Sequence, residues 1–198
     1  MAKKVKVGAK IKAKAKAKAK PKATAKGAKG AKGKSGKSGK GEVNPLVGKK
    51  APAFRLETDD GKTVDLKDFA GKRVVVYFYP KDDTPGCTRQ ACDFTAQFAE
   101  FKKAGVTVVG VSPDDLKSHA KFRTKHKLGI KLASDPGAKA ARAWGAWGLK
   151  QNYGKSYEGI IRSTFLIDED GKVARVWPKV KVDGHVDAVL AAASGEED

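Results

Sequence analysis

Cys87 and Cys92 are the only cysteines in 198 residues, and both fall in the run Tyr79-Pro80-Lys81-Asp82-Asp83-Thr84-Pro85-Gly86-Cys87-Thr88-Arg89-Gln90-Ala91-Cys92. The run follows a β-prone stretch and reads as a helix start. Thr84 can act as the N-cap, Pro85 suits the first helical position, and an amphipathic segment follows. Cys87 then lies in the first turn, where the helix macrodipole and backbone N–H groups without intrahelical partners favour a thiolate over a thiol. A thiolate is a nucleophile, so these residue types at this spacing point to redox or thiol chemistry at Cys87. Most lone cysteines are small core hydrophobes; the Thr-Pro-Gly approach and a second cysteine five residues on argue against that reading here. Zinc is disfavoured, because two cysteines with no nearby His or third Cys do not make a four-ligand site. The spacing also departs from the Cys-x-x-Cys of thioredoxins.

Sharing one helix would constrain the two thiols. Five residues of ideal α-helix rise about 7.5 Å and turn about 140°, which leaves the Cα atoms roughly 8–9 Å apart. A disulfide needs about 4.4–6.8 Å. The two cysteines therefore cannot bond until the first helical turns unwind.

The same run resembles the active-site motif of the peroxiredoxins. Pro80-x-x-x-Thr84-x-x-Cys87 matches that motif, and Tyr77-Phe78-Tyr79-Pro80-Lys81 before it, with Cys92 after it, is similar to the peroxiredoxin Q, or bacterioferritin-comigratory-protein, subfamily. Gly159-Ile160-Ile161-Arg162-Ser163-Thr164-Phe165-Leu166-Ile167-Asp168 resembles the segment that carries the family's active-site arginine. The resemblance extends from about Leu46 to about Leu190. It implies that Cys87 is the peroxidatic and Cys92 the resolving cysteine, and that Thr84 and Arg162 bind and activate the peroxide. Pro80 would support the motif, and Gln90 would be the arginine's polar partner. The implied activity is thiol-specific reduction of hydrogen peroxide and alkyl hydroperoxides through a sulfenic acid and an intramolecular disulfide. Thioredoxin or a similar dithiol would be the reductant, the protein a monomer, and no metal, flavin or haem cofactor would be required.

Magnitudes show why an arginine matters. A thiol of pKa about 8.5 is roughly 3% ionised at pH 7, and one of pKa about 6 roughly 90%. That gain of about 30-fold is partly offset by lower intrinsic nucleophilicity. The larger share of a fast peroxide step must come from donors that stabilise negative charge building on the departing oxygen. The planar, always-charged fork of Arg162 and the hydroxyl of Thr84 suit that task.

The elements that would position these groups can be read from periodicity. Phe54 to Leu66 reads as a hairpin around Asp59-Asp60-Gly61, and Arg73 to Tyr79 as a strand covered on both faces. The helix after it puts Phe94, Phe98 and Phe101 at helical spacing toward the core. Val106 to Val111 is a second buried strand, Asp114 to Lys127 a helix, Ile130 to Ala133 a short strand and Pro136 to Trp144 a short helix. Ser163 to Ile167 and Lys172 to Trp177 flank Asp168-Glu169-Asp170-Gly171 as an antiparallel hairpin, and His185 to Ala193 is a last helix. A βαβ half followed by a ββα half predicts an α/β, thioredoxin-like fold with a mixed central sheet flanked by helices.

Composition divides the chain into a basic tail, residues 1–42, and one domain, residues 43–198. Residues 1–40 hold 16 lysines and no acidic, cysteine or aromatic residue, so of the net charge of +20 only +4 belongs to the rest. Such a segment cannot offset the entropy of ordering and is expected to be disordered. Pro21-Lys22-Ala23-Thr24-Ala25-Lys26-Gly27-Ala28-Lys29-Gly30 resembles the composition of linker-histone tails. A flexible polycation condenses on polyanions and releases their counterions, so residues 1–40 are expected to bind DNA or RNA without sequence preference. Gly33-Lys34-Ser35-Gly36-Lys37-Ser38 is no P-loop, since Ala28 and Ala31 stand where it needs glycines.

No apolar run is long enough to span a membrane and no secretory signal is visible. Two cysteines without a secretory signal fit a reducing compartment. The expected location is cytoplasmic, with nucleoid or chromatin association through the tail. His119, His126 and His185 lie on polar-looking helix segments and read as solvated, Trp144, Trp147 and Trp177 read as packing residues, and Asp168–Gly171 reads as a turn rather than a calcium loop. Two other function classes compete: a nucleic-acid-coating protein with a secondary or inactive peroxidase domain, and a general disulfide oxidoreductase, which Cys-x4-Cys disfavours.

Overall fold

The computed structural model describes residues 44–152 and 154–195; the basic tail and its expected disorder lie outside the described residues. In chain order the elements are β1 (Arg55–Thr58), β2 (Thr63–Asp65), a 3-10 turn over Leu66–Phe69, β3 (Val74–Phe78), α1 (Pro85–Ala96), α2 (Phe98–Lys103), β4 (Thr107–Ser112), α3 (Leu116–His126), β5 (Lys131–Ser134), α4 (Lys139–Ala143), β6 (Trp147–Asn152), β7 (Lys155–Ile160), β8 (Ser163–Ile167), β9 (Val173–Trp177) and α5 (His185–Ser194).

Seven strands form one sheet in the order β2-β1-β5-β4-β3-β8-β9. β3, β4 and β5 run parallel, whereas β8 and β9 add antiparallel on one side and β1 and β2 on the other. This is a thioredoxin-like fold with a mixed sheet between helices, as the strand and helix order predicts. β3 is buried along its whole length because it alternates between two cores. Val74, Val76 and Phe78 join Phe54, Val109, Trp144 and Phe165 on one face. Val75, Tyr77 and the following Tyr79 join Cys87, Phe94, Phe101, Phe122 and Val189 on the other. A strand covered on both faces has no polar side to show, which is why its sequence reads as an unbroken β-prone run.

Helix α1 packs on the second face through Cys87, Ala91 and Phe94. The ring of Tyr77 stacks on Phe94 of α1 with centroids 4.8 Å apart and lies directly over Gly110 of β4. A Cβ at Gly110 would come within 2.6 Å of the tyrosine ring, so only glycine lets that ring pass.

Two expectations need correcting. The helix predicted to run on through Phe101 breaks at Gln97 (φ −97°, ψ 10°), giving α1 and α2. Phe94 and Phe101 are buried, but Phe98, just past the break, is 41% exposed. The segment after Trp144 carries no strand signal in the sequence, yet β6 and β7 form a separate two-stranded ribbon from Trp147↔Ile160 to Asn152↔Lys155. The hairpins β1–β2 and β8–β9, with their turns at Gly61 and Gly171, both of positive φ, agree with the sequence reading.

His185 opens α5 and is buried, not solvated as its surroundings in sequence suggested. Its Nε2 lies 2.8 Å from the Thr164 hydroxyl of β8, and its ring packs edge-on against Phe94 and Trp177. Burial, and then the nearby Arg162 charge, push its pKa down to about 4 from the ordinary 6.5. The folded chain thus holds His185 neutral, while the unfolded chain protonates it near its ordinary value. Between those two values the unfolded state binds more protons, so this contribution to stability is complete above pH 6.5 and is lost as pH falls toward 4. Urea unfolding measured at pH 7, 6 and 5 is expected to show stability falling with pH, and His185→Gln is expected to flatten that slope.

Candidate active site

Strand register brings together two residues 75 positions apart. β8 pairs with β3 so that Ser163 lies opposite Phe78. The residue just before β8, Arg162, therefore emerges beside the loop that carries the chain from β3 into α1. Its flanks are fixed by backbone bonds: Ile161 N–H donates to Ala146 O, and Val180 N–H donates to Arg162 O, both at 2.9 Å. The guanidinium then spans two residues of α1. Nη2 donates to Cys87 Sγ at 3.1 Å and Nη1 to Gln90 Oε1 at 2.5 Å. Cys87 and Gln90 are three apart, so they share a helix face, and both are buried. Gly86 packs beside the guanidinium, since a Cβ there would stand in ordinary van der Waals contact with Nη2.

Thr84 occupies the N-cap position with extended backbone, and Pro85 is the first helical residue, as expected. The first helical bond runs from Thr88 N–H to Thr84 O at 2.8 Å. The cap itself differs from expectation. The Thr84 side chain makes no capping bond; its hydroxyl donates to Lys81 O at 3.1 Å. The structure thus gathers Cys87 and Gln90 on Arg162, with Thr84 one turn away bonded to its own loop. Pro80 sits where β3 gives way to that loop.

Cys92 lies on α1, partly buried against the apolar core on the side of Cys87, and both thiols are free. Burial, and then the Asp93 carboxylate, push the Cys92 thiol up. The two cysteines thus differ in environment. Cys87 is held against a cation, while Cys92 is kept in the protonated, less nucleophilic form.

Reading the histidines as solvated missed a polar cluster behind the loop. His119 is completely buried, with Nδ1 2.8 Å from Asp82 Oδ2. Tyr79 Oη donates to Asp82 Oδ1 at 2.7 Å and Ser118 Oγ to Asp82 Oδ2 at 2.8 Å. Helical spacing holds the missed signal: His119 is three residues before buried Phe122 and so on the same inward stripe. His126 is the exception among the three, partly exposed beside Asp83. Trp144 is a core residue, and Trp147 and Trp177 lie at core margins. Asp168–Gly171 is a hairpin turn closed by Asp168 N–H donating to Lys172 O at 2.9 Å. Among the described residues no group of three or more His, Cys, Asp or Glu is placed to hold a metal ion, and no helix is long and apolar enough to cross a membrane.

A family profile described as AhpC/TSA matches residues 47–176. Peroxiredoxin Bcp of Bacillus subtilis (strain 168) is 49% identical over 144 residues, covering 73% of this chain and 92% of the relative. Peroxiredoxin Bcp of Escherichia coli (strain K12) is 47% identical over 149 residues, covering 75% and 96%. Among solved structures, peroxiredoxin Q of Xanthomonas campestris superposes with a TM-score of 0.69 at 46% identity, covering 72% of this chain and 90% of that one. The bacterioferritin comigratory protein of the same organism, solved as trapped-intermediate and ligand complexes bearing on its alkyl peroxide reduction activity, gives 0.69 at 45% identity, covering 72% and 91%. With a buried thiol held by an arginine at the start of α1, and relatives that match along nearly their whole length, the chain belongs to the AhpC/TSA family as a peroxiredoxin of the Bcp/peroxiredoxin Q type, an oxidoreductase.

Proposed function

We propose that this chain reduces hydrogen peroxide and alkyl hydroperoxides with Cys87 as the attacking thiolate, Cys92 as the resolving thiol, and Arg162 as the group that stabilises the departing oxygen. The observation that carries this reading is the Arg162 guanidinium 3.1 Å from Cys87 Sγ and bonded to Gln90. The sulfur attacks the outer peroxide oxygen: an S–O bond forms, the O–O bond breaks, and the sulfur is oxidised by two electrons to a sulfenic acid. The displaced alkoxide or hydroxide takes up a proton and leaves as alcohol or water. A guanidinium already in contact with the sulfur needs little reorganisation to meet the negative charge that builds on that oxygen. Gln90 fixes the plane of the fork, Thr84 at the head of the helix binds the peroxide through its hydroxyl, and Pro80 supports the loop that leads into the helix.

Cys92 then attacks Cys87 Sγ, forming an S–S bond and expelling water. Both cysteines lie in the regular helix α1, so this step follows local unwinding. An external dithiol, thioredoxin or a relative of it, reduces the disulfide by exchange and restores both thiols. The environment that serves this cycle is a reducing one, the cytoplasm.

Cys87→Ser is expected to abolish peroxide reduction. Cys92→Ser is expected to react once per chain and stop at sulfenic acid, as read by thiol titration and mass spectrometry after one equivalent of hydrogen peroxide. Thioredoxin-coupled turnover at the normal rate by Cys87→Ser would end the assignment. Arg162→Lys keeps a charge but loses the planar fork, and the second-order peroxide rate is expected to fall by an order of magnitude or more at matched thiolate fraction. An unchanged rate under that condition would remove Arg162 from the chemistry.

The basic tail adds a tether in this reading, supported by its 16 lysines and lack of acidic residues over residues 1–40. None of the proposed catalytic groups lies in this segment, so its charge would hold a nucleic acid without taking part in the chemistry. Deleting residues 1–40 is expected to leave hydrogen peroxide kinetics nearly unchanged and to remove most binding to duplex DNA. Full-length binding is expected to weaken steeply with salt, by about 0.9 log unit per log unit of salt for each phosphate neutralised. Salt-steep binding retained by the shortened chain would refute the tether.

A further inference from the structure

The loop between β3 and α1 is fastened to α3 by two adjacent aspartates that the proposed chemistry does not use. Asp82 is the buried one. Its side chain is 4% exposed, and its carboxylate accepts hydrogen bonds from Tyr79 Oη at 2.7 Å, Ser118 Oγ at 2.8 Å and His119 Nδ1 at 2.8 Å. Its own N–H donates to Asp114 Oδ2 at 2.8 Å, an oxygen that also accepts from Ser112 Oγ. Burial opposes the charge on Asp82, but the bonds from His119, Tyr79 and Ser118 outweigh it and hold the carboxyl below the usual carboxylate range. An ionised carboxylate can only accept, so His119 Nδ1 carries the hydrogen and donates. Asp83 follows in the left-handed region at φ +55°, with its carboxylate bonded to Lys125 and His126 at the far end of α3.

This arrangement is costly for a loop whose only task is to connect. Burying a carboxylate with a histidine is rarely more stable than packing apolar side chains of the same volume. What the network does supply is a fixed point five residues before Cys87, on the strand-to-helix turn that aims Cys87 at Arg162. We propose that Asp82, locked by Tyr79, Ser118 and His119, is a positioning residue for the peroxide step: it holds the first turn of α1 in the geometry where Cys87 meets Arg162. By the same hold it resists the unwinding that lets Cys92 reach Cys87. The inference rests on the peroxidase reading above.

The two steps place opposite demands on this loop, and that gives the test its sign. Attack on peroxide needs the first turn intact, whereas disulfide closure needs it open. Loosening the lock slows the first step and leaves the second unchanged or faster, a contrast that general loss of stability does not produce. The experiment is a single turnover of the full-length chain with hydrogen peroxide, quenched at intervals and alkylated. It reads the second-order loss of the Cys87 thiol and the first-order appearance of the Cys87–Cys92 disulfide by mass spectrometry.

His119→Leu is expected to lower the peroxide rate about tenfold or more without slowing closure. His119→Asn places an N–H where Nδ1 stood and is expected to restore at least half of the wild-type rate. Ser118→Ala and Tyr79→Phe each remove one donor and keep the shape; they are expected to show the same contrast at about threefold, and they decide the matter if His119→Leu does not fold. A peroxide rate within twofold of wild type in Ser118→Ala and Tyr79→Phe, or both steps slowing in proportion, overturns the positioning role. A wild-type chain that loses no Cys87 thiol overturns the peroxidase reading itself, and so the two failures are distinguishable.

Discussion

The pairing of β3 with β8 is the constraint on which the rest of the site depends. Arg162 and Cys87 belong to segments distant in sequence, and no local preference brings them together. Their contact exists only because Ser163 is registered opposite Phe78. Every residue of β3 and of β8 is buried, so a slip of one position would turn the whole set of side chains to the wrong faces. The apolar cores on the two sides of the sheet therefore do more than stabilise the fold. They fix the register, and the register fixes the arginine against the thiol at the head of α1.

The two faces of the sheet differ in how they treat polar groups. The face built on Phe54, Phe78, Trp144 and Phe165 buries few polar groups: Asp135 accepts from the N–H groups of Ala140 and Ala141, and Trp144 Nε1 has no hydrogen-bond partner among the described residues. The face under α1, α3 and α5 takes in the Thr164–His185 pair, the Asp82 cluster and the Arg162–Gln90 bond. Tyr77 Oη, Gln90 Nε2 and His119 Nε2, buried atoms with no hydrogen-bond partner among the described residues, belong to this second side. Buried polar atoms cost free energy unless they are fully satisfied. Most of the unpartnered buried atoms among the described residues lie on the face that carries Cys87 and its contact with Arg162.

Much of this was legible in the sequence, and what was not has identifiable causes. The β-prone run over Arg73–Tyr79, the hairpin turns at Gly61 and Gly171, and Thr84-Pro85 before a helix are local signals with local outcomes. The helix break at Gln97 was hidden because Phe94, Phe98 and Phe101 keep helical spacing across it, although Phe98 ends up largely outside the core. The β6–β7 ribbon was hidden because it pairs only with itself and most of β7 is exposed, so no alternation of buried and exposed residues marks it. Gln90 and Arg162 were identified through family resemblance and were found in contact. The Asp82 cluster was missed because its members come from three separate segments, and a histidine flanked by serine and lysines looks solvated until the inward stripe of α3 is traced through Phe122.

Both cysteines sit in one regular helix, a shape that a bond between them cannot share. In the proposed cycle, oxidation therefore dissolves whatever free energy the first turns of α1 possess, and reduction regains it. That free energy belongs to the electrochemistry of the couple. For a two-electron couple, each 1.4 kcal/mol or so by which the reduced helix is favoured raises the reduction potential by about 30 mV. In that cycle the grip of Arg162 on Cys87 and Gln90 acts on the redox partner without touching it. Within the proposed cycle it makes the disulfide a stronger oxidant, and the folding energy of a few helical residues becomes part of the voltage at which electrons are drawn from the reductant.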